Sequence, residues 1–161
     1  MSNPILITDT EVISKAYITI VDKSFIKIEI INVAQHTYIK PVLGITLFED
    51  VLQNPSNYTT LINDYISPCL AFFIKYLLYS QQIFASAEYS NPDPTQADTF
   101  VSPEIAANID TNLHYMAIND ILFIARQKEQ ILIDYLKANP PALFEPPSKK
   151  IISGFLLQGS P

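Results

Sequence analysis

Between Ile45 and Gln53 the chain writes out an amphipathic helix, with Leu47, Phe48, Val51 and Leu52 on one face and Glu49, Asp50 and Gln53 on the other. Asn54-Pro55-Ser56-Asn57 supplies its stop. Upstream, Thr8 and Glu11 form a capping box, which predicts a short helical turn through Ser14. Tyr17 to Val21 reads as a short extended piece. The stretch Ser24 to Ile39 fits two periods, since Ile26, Ile28 and Ile30 alternate as in a strand while Ile26, Ile30, Val33 and Thr37 step as in a helix. Its length decides for helix. Pro41 should hold Lys40 out of helical dihedrals, and Gly44 follows, so a turn is expected between the two helices.

Thr59 or Thr60 offers a cap for a third helical segment, and Pro68 marks a kink or a restart at a first-turn position. The helix that follows reaches about Ser86. Its apolar positions Leu70, Phe72, Phe73, Ile74, Leu77, Leu78, Ile83 and Phe84 circle the axis, which predicts burial on most sides and a central place in a bundle. Glu88 to Val101, with Asn91-Pro92-Asp93-Pro94, reads as a mobile surface loop, and Ser102 caps a helix beginning at Pro103. No Gly or Pro then intervenes before Pro140. At ~1.5 Å per residue such a helix is ~54 Å long, against a diameter near ~40 Å for a globule of this size. It must break, for instance near Asn119-Asp120, or bend, or project toward a neighbour.

The chain thus divides into an N-terminal arm (1–23), a helical domain (24–138, with the loop 88–101) and a C-terminal arm (139–161). The second arm is stiffened by Pro140-Pro141 and Pro146-Pro147 and then carries Ile151, Ile152, Phe155, Leu156 and Leu157. Burying each of those five side chains is worth about 1.5–3 kcal/mol, so the arm asks for a docking surface, in its own molecule or on a neighbour. The fold class is mainly α: a small helical bundle with a long C-terminal helix and extended N- and C-terminal arms.

Composition sharpens this picture. Of 161 residues, 48% are apolar and only 16% charged, sparse solvation for a free monomer and a sign that partners cover part of the surface. The net charge of -6 leaves no basic stripe, which argues against tight nucleic-acid binding. A single cysteine, Cys69, excludes an internal disulfide and lies in an apolar run, as a small core residue does. The N-terminus lacks a signal-peptide pattern, and the greasiest run, Cys69 to Tyr79, is interrupted by Lys75 and short for a membrane helix; a soluble protein with no membrane association is expected.

Residues suited to chemistry are few. His36 and His114 stand far apart without a second ligand at metal spacing, and read as polar boundary residues. Glu49 and Asp50 point ~100° apart on a polar face, as solvating carboxylates rather than an acid-base pair. Three glycines build no phosphate loop, and no serine sits in a nucleophile elbow. Neither a catalytic residue nor a metal or cofactor is assigned. Tyrosine is the enriched type, and Tyr76, Tyr79, Tyr115 and Tyr135 suit both helix packing and subunit contacts.

Ala34-Gln35, Ile39-Lys40-Pro41-Val42-Leu43-Gly44, Leu47-Phe48 and Val51-Leu52, followed by Ile66-Ser67-Pro68-Cys69-Leu70-Ala71-Phe72-Phe73, resemble a pattern in head-tail connector (neck ring) proteins of tailed bacteriophages, particularly of Bacteroidales and crAss-like phages. With the long C-terminal helix, the resemblance covers about Ser24 to Lys137, and both tails lie outside it. It implies a non-enzymatic virion protein of the neck, assembled in the host cytoplasm as a ring, commonly a dodecamer. Such a ring sits beneath the portal protein, joins it to further neck and tail proteins, and lets DNA pass through its lumen without specific binding. A tail-completion protein and a small helical dimeric binding module are the alternatives. Beside the five arm residues, Tyr115 and Phe123 on the long helix are the interface candidates.

Overall fold

The computed structural model describes residues 4–17, 23–89 and 111–145, with the side chains of 81–89 and 111–114 outside that description. The described residues form helices and turns and contain no strand, as the mainly α reading expected. Among the described residues six α-helices follow in order: α1 (Asp9–Ala16), α2 (Ile28–Ala34), α3 (Lys40–Leu43), α4 (Ile45–Gln53), α5 (Ser67–Tyr89) and α6 (Thr111–Ala138).

The capping box at Thr8 is present, each partner answering the other, and α1 runs two residues past Ser14. Tyr17 is extended, while the rest of the piece read through Val21 lies outside the described residues. The helix expected from Ser24 starts only at Ile28, because Lys23–Phe25 is a 3-10 turn and Lys27 is extended. Thr59 is itself helical, with its hydroxyl donating to the Ser56 carbonyl, so it caps nothing; a 3-10 turn over Pro55–Tyr58 leads into this segment instead.

Lys40 is a correction. It is fully helical at φ -54° and ψ -43°, although Pro41 follows it. The chain arrives there through a π-helical turn, Gln35–Ile39, in which the Lys40 amide reaches the Gln35 carbonyl five residues back. In a plain α-helix the Pro41 ring would clash with the Thr37 carbonyl, and the wider turn relieves that clash. The same device recurs at Pro68: Leu61–Ile66 is π-helical, the Ser67 amide reaches the Ile62 carbonyl, and Pro68 takes the second position of α5. The expected break after the first of these comes at Gly44, whose φ of 77° ends α3 and opens α4.

Helix α5 is central, as its all-round apolar pattern implied. Leu70, Ala71, Phe73 and Ile74 are fully enclosed by α1, α2 and α6. Together with the π turn before it, the continuous stretch Leu61–Ser80 is long and apolar enough to cross a membrane by length and composition, more than the run Cys69 to Tyr79 suggested; half of it is buried inside the bundle. Helix α5 also continues to Tyr89, so Glu88 is helical and not the first loop residue; the remainder of the loop lies outside the described residues.

Residues 4–17, grouped with an arm in the sequence, pack into this core. Leu6, Ile7, Val12 and Ala16 are buried, and Ser67 Oγ donates to the Leu6 carbonyl at 3.4 Å. The buried Gln35 ties the segment down, accepting from the Leu6 amide at 3.2 Å and donating to the Pro4 carbonyl at 3.1 Å. Lys75, within α5, donates to the Ala16 carbonyl at 2.7 Å at the end of α1 and lies 4.8 Å from the Tyr17 ring centre.

Candidate interaction surface

Thr111 to Ala138 contains neither Gly nor Pro, and the helix passes through Asn119-Asp120 without interruption. Its 28 residues span ~42 Å at ~1.5 Å each. The residues from Pro103 to Asp110 lie outside the described residues. Ile121, Ala125, Leu132 and Leu136 are buried at spacings of four, seven and four, which keeps them on one stripe against α5. Tyr135 extends this contact by stacking on Tyr65 with ring centres 3.8 Å apart.

At 100° per residue, Phe123 and Met116 fall nearly opposite that stripe, with Ile124 and Ile131 on one flank and Tyr115 on the other. They are exposed: Tyr115 by 60%, Met116 by 62%, Phe123 by 63% and Ile131 by 52%. Five large apolar or aromatic side chains on one helix therefore face away from the bundle that the same helix covers. Tyr115 and Phe123, singled out from the sequence, both lie on this surface. Met116, Ile124 and Ile131 were missed, although the seven-residue steps 116/123 and 124/131 carry the signal. Asp120 and Asp134 punctuate the stripe; Asp134 accepts from Gln130 Nε2 at 2.8 Å and lies 3.9 Å from Lys137 Nζ.

On the bundle side, Arg126 pairs with Glu129 at 2.7 Å, and its guanidinium lies 5.4 Å from the Phe73 ring centre and 5.9 Å from that of Tyr38. Tyr38 and Phe73 are stacked, 3.9 Å apart and nearly parallel. Arg126 thus caps an aromatic pair that joins α5 to the π turn before α3. Cys69 is fully buried and burial pushes its thiol far up, consistent with a small core residue.

His36 is exposed and packs edge-on against Phe48, 5.2 Å between centres, while the side chain of His114 is outside the described residues. Among the described residues no group of three or more His, Cys, Asp or Glu is placed to hold a metal ion. Asp50 is not simply solvated: it accepts from the Tyr58 hydroxyl and from Asn54 Nδ2, and these hydrogen bonds hold its carboxyl below the usual range, Tyr58 contributing most. An open cleft of about 440 Å³ beside this pair is lined by Ser56, Thr59, Thr60 and Tyr135 among others, and it brings no nucleophile, base and orienting group together.

The C-terminal chain turns back after α6. The Phe144 amide donates to the Pro141 carbonyl, Phe144 packs against the core, and the Glu145 carbonyl comes to rest beside Gly44. Ile151, Ile152, Phe155, Leu156 and Leu157 lie outside the described residues. Compared with protein-family models, with curated proteins and with solved structures, the chain matches none.

Proposed function

We propose that this chain is a subunit of a homo-oligomeric ring, the head-to-tail connector in the neck of a tailed bacteriophage, where it adapts the portal protein to the tail and lines part of the DNA conduit. The observation that carries the oligomeric part is the apolar outer face of α6. A 28-residue helix that buries one stripe and leaves Met116, Phe123, Ile124 and Ile131 in solvent is half of an interface. The phage assignment rests on the sequence resemblance between Ser24 and Lys137. In this reading the protein performs no catalysis; its mechanism is assembly. Each subunit offers a heterologous contact of at least ~800 Å², repeated around a closed rotation. The negative net charge suits a lumen through which DNA slides, since like charge keeps the genome from adhering.

The test is the mass of the full-length protein, by native mass spectrometry or light scattering, alone and mixed with the portal protein of the same phage. A closed ring, alone or only on the portal, supports the connector. A ring that ignores the portal and binds tail components makes it a tail-completion protein, and a monomer or dimer indifferent to the portal overturns the reading.

A further inference from the structure

The stripe on α6 is too narrow to be a whole subunit contact. Five partly exposed side chains present on the order of 550 Å², which is the size of an ordinary surface patch and short of the ~800 Å² per partner that a stable interface between globular surfaces needs. A narrow row of apolar side chains along a helix instead fits a short apolar peptide. The chain itself supplies one: after Glu145 come sixteen residues that include Ile151, Ile152, Phe155, Leu156 and Leu157.

The dimensions agree. Along the helix axis Met116 and Ile131 are ~22 Å apart, and an extended run from Ile151 to Leu157 covers ~20 Å. The charges agree as well. Lys149-Lys150 stands immediately before the apolar run, while the stripe is punctuated by Asp120 and by Asp134, whose side chain is 62% exposed. The described chain stops with the Glu145 carbonyl beside Gly44, at the junction of α3 and α4, whereas the stripe on α6 faces away from the bundle. In a ring closed by heterologous contacts, the segment that leaves one copy meets a different surface of the next.

We infer that Met116, Phe123, Ile124 and Ile131 of each subunit seat residues 146–161 of a neighbouring copy, with Lys149 and Lys150 set against the carboxylate at one end of the stripe, Asp120 or Asp134, which lie ~21 Å apart along the helix. The inference rests on the ring reading and names the two surfaces whose repeated pairing closes the ring. They differ from one another, as a heterologous contact requires.

Disulfide trapping in the full-length protein tests it. One chain carries Gln127→Cys, at the middle of the stripe, and a second, distinguishable by mass, carries Leu156→Cys. The native Cys69 is buried with a raised thiol and stays silent. Mixed and mildly oxidised, the two chains should join into a heterodimer at least tenfold faster than Leu156→Cys joins a chain carrying Thr10→Cys. The double change Asp120→Lys and Asp134→Lys should slow the specific cross-link. A chain bearing both Gln127→Cys and Leu156→Cys should yield ladders of linked subunits. Closure within single chains would overturn the neighbour assignment. A ring whose subunits do not cross-link would overturn this pairing and leave the ring intact, while a monomer with no cross-link would sink both.

Discussion

Gly44 sits at φ 77° and ψ 161°, a region open to glycine and closed to residues with a Cβ. An added Cβ would meet only the Glu145 carbonyl, at an ordinary 3.7 Å, so the penalty for Gly44→Ala is backbone strain and not collision. The variant should lose about 1–3 kcal/mol in urea unfolding with an unchanged denaturant slope. The Asp50 and Tyr58 pair gives a pH signature. The carboxyl is held below its usual range and the Tyr58 hydroxyl, by its bond to Asp50, above its own. The lowered carboxyl contributes stability that is present above about pH 4 and fades as pH falls through its folded value; the raised phenol contributes stability that is present below about pH 10 and fades as pH rises through its folded value. Tyr58→Phe should therefore trail the parent in unfolding midpoint across the middle of the pH range, and the two curves should converge at both ends. A gap that stays constant at acid pH would show that the bond to Asp50 is not its source.

The two π turns are elements with a stated job. Proline inside a regular helix costs about 3 kcal/mol, so replacing one with alanine normally returns stability of that order. Here each proline follows a widened turn that has already displaced the opposing carbonyl, and Pro41→Ala and Pro68→Ala should each change stability by less than about 1 kcal/mol. A gain near 3 kcal/mol in either, read by thermal or urea unfolding, would mean that the widened turn relieves nothing. Helix α6 has two unlike faces. Leu132 is fully enclosed and Leu132→Ala should cost about 2–5 kcal/mol, whereas Phe123→Ser, on the outer face, should alter the stability of the isolated subunit by no more than about 0.5 kcal/mol and yet weaken its assembly. Unfolding and light scattering on the same two variants separate those outcomes.

At the scale of the molecule, α5 is wrapped by α1, α2 and α6, and α6 carries five of the exposed large apolar or aromatic side chains among the described residues. Native-state hydrogen exchange on the subunit should find the α6 amides slowest around Leu132 and Leu136, where α5 and the stacked Tyr65 cover the helix, and the proposed ring predicts slowed exchange around Met116 on assembly. Much of this was legible in the sequence, because helical periodicity and caps are local. The capping box at Thr8, the amphipathic α4 and the encircled α5 follow from spacings within a few turns, whereas the sequence left open whether α6 breaks, bends or projects, and Tyr115 and Phe123 stood out in it as interface candidates. Tertiary structure decided the rest. Lys40 is helical because the turn before it opens by one residue, which no local rule about proline contains. Residues 4–17 join the core through Gln35 and Ser67, partners 29 and 61 positions away from Leu6. Which face of α6 is left in water depends on where α5 lies, and that is settled by packing between residues far apart in the chain rather than by the pattern along it.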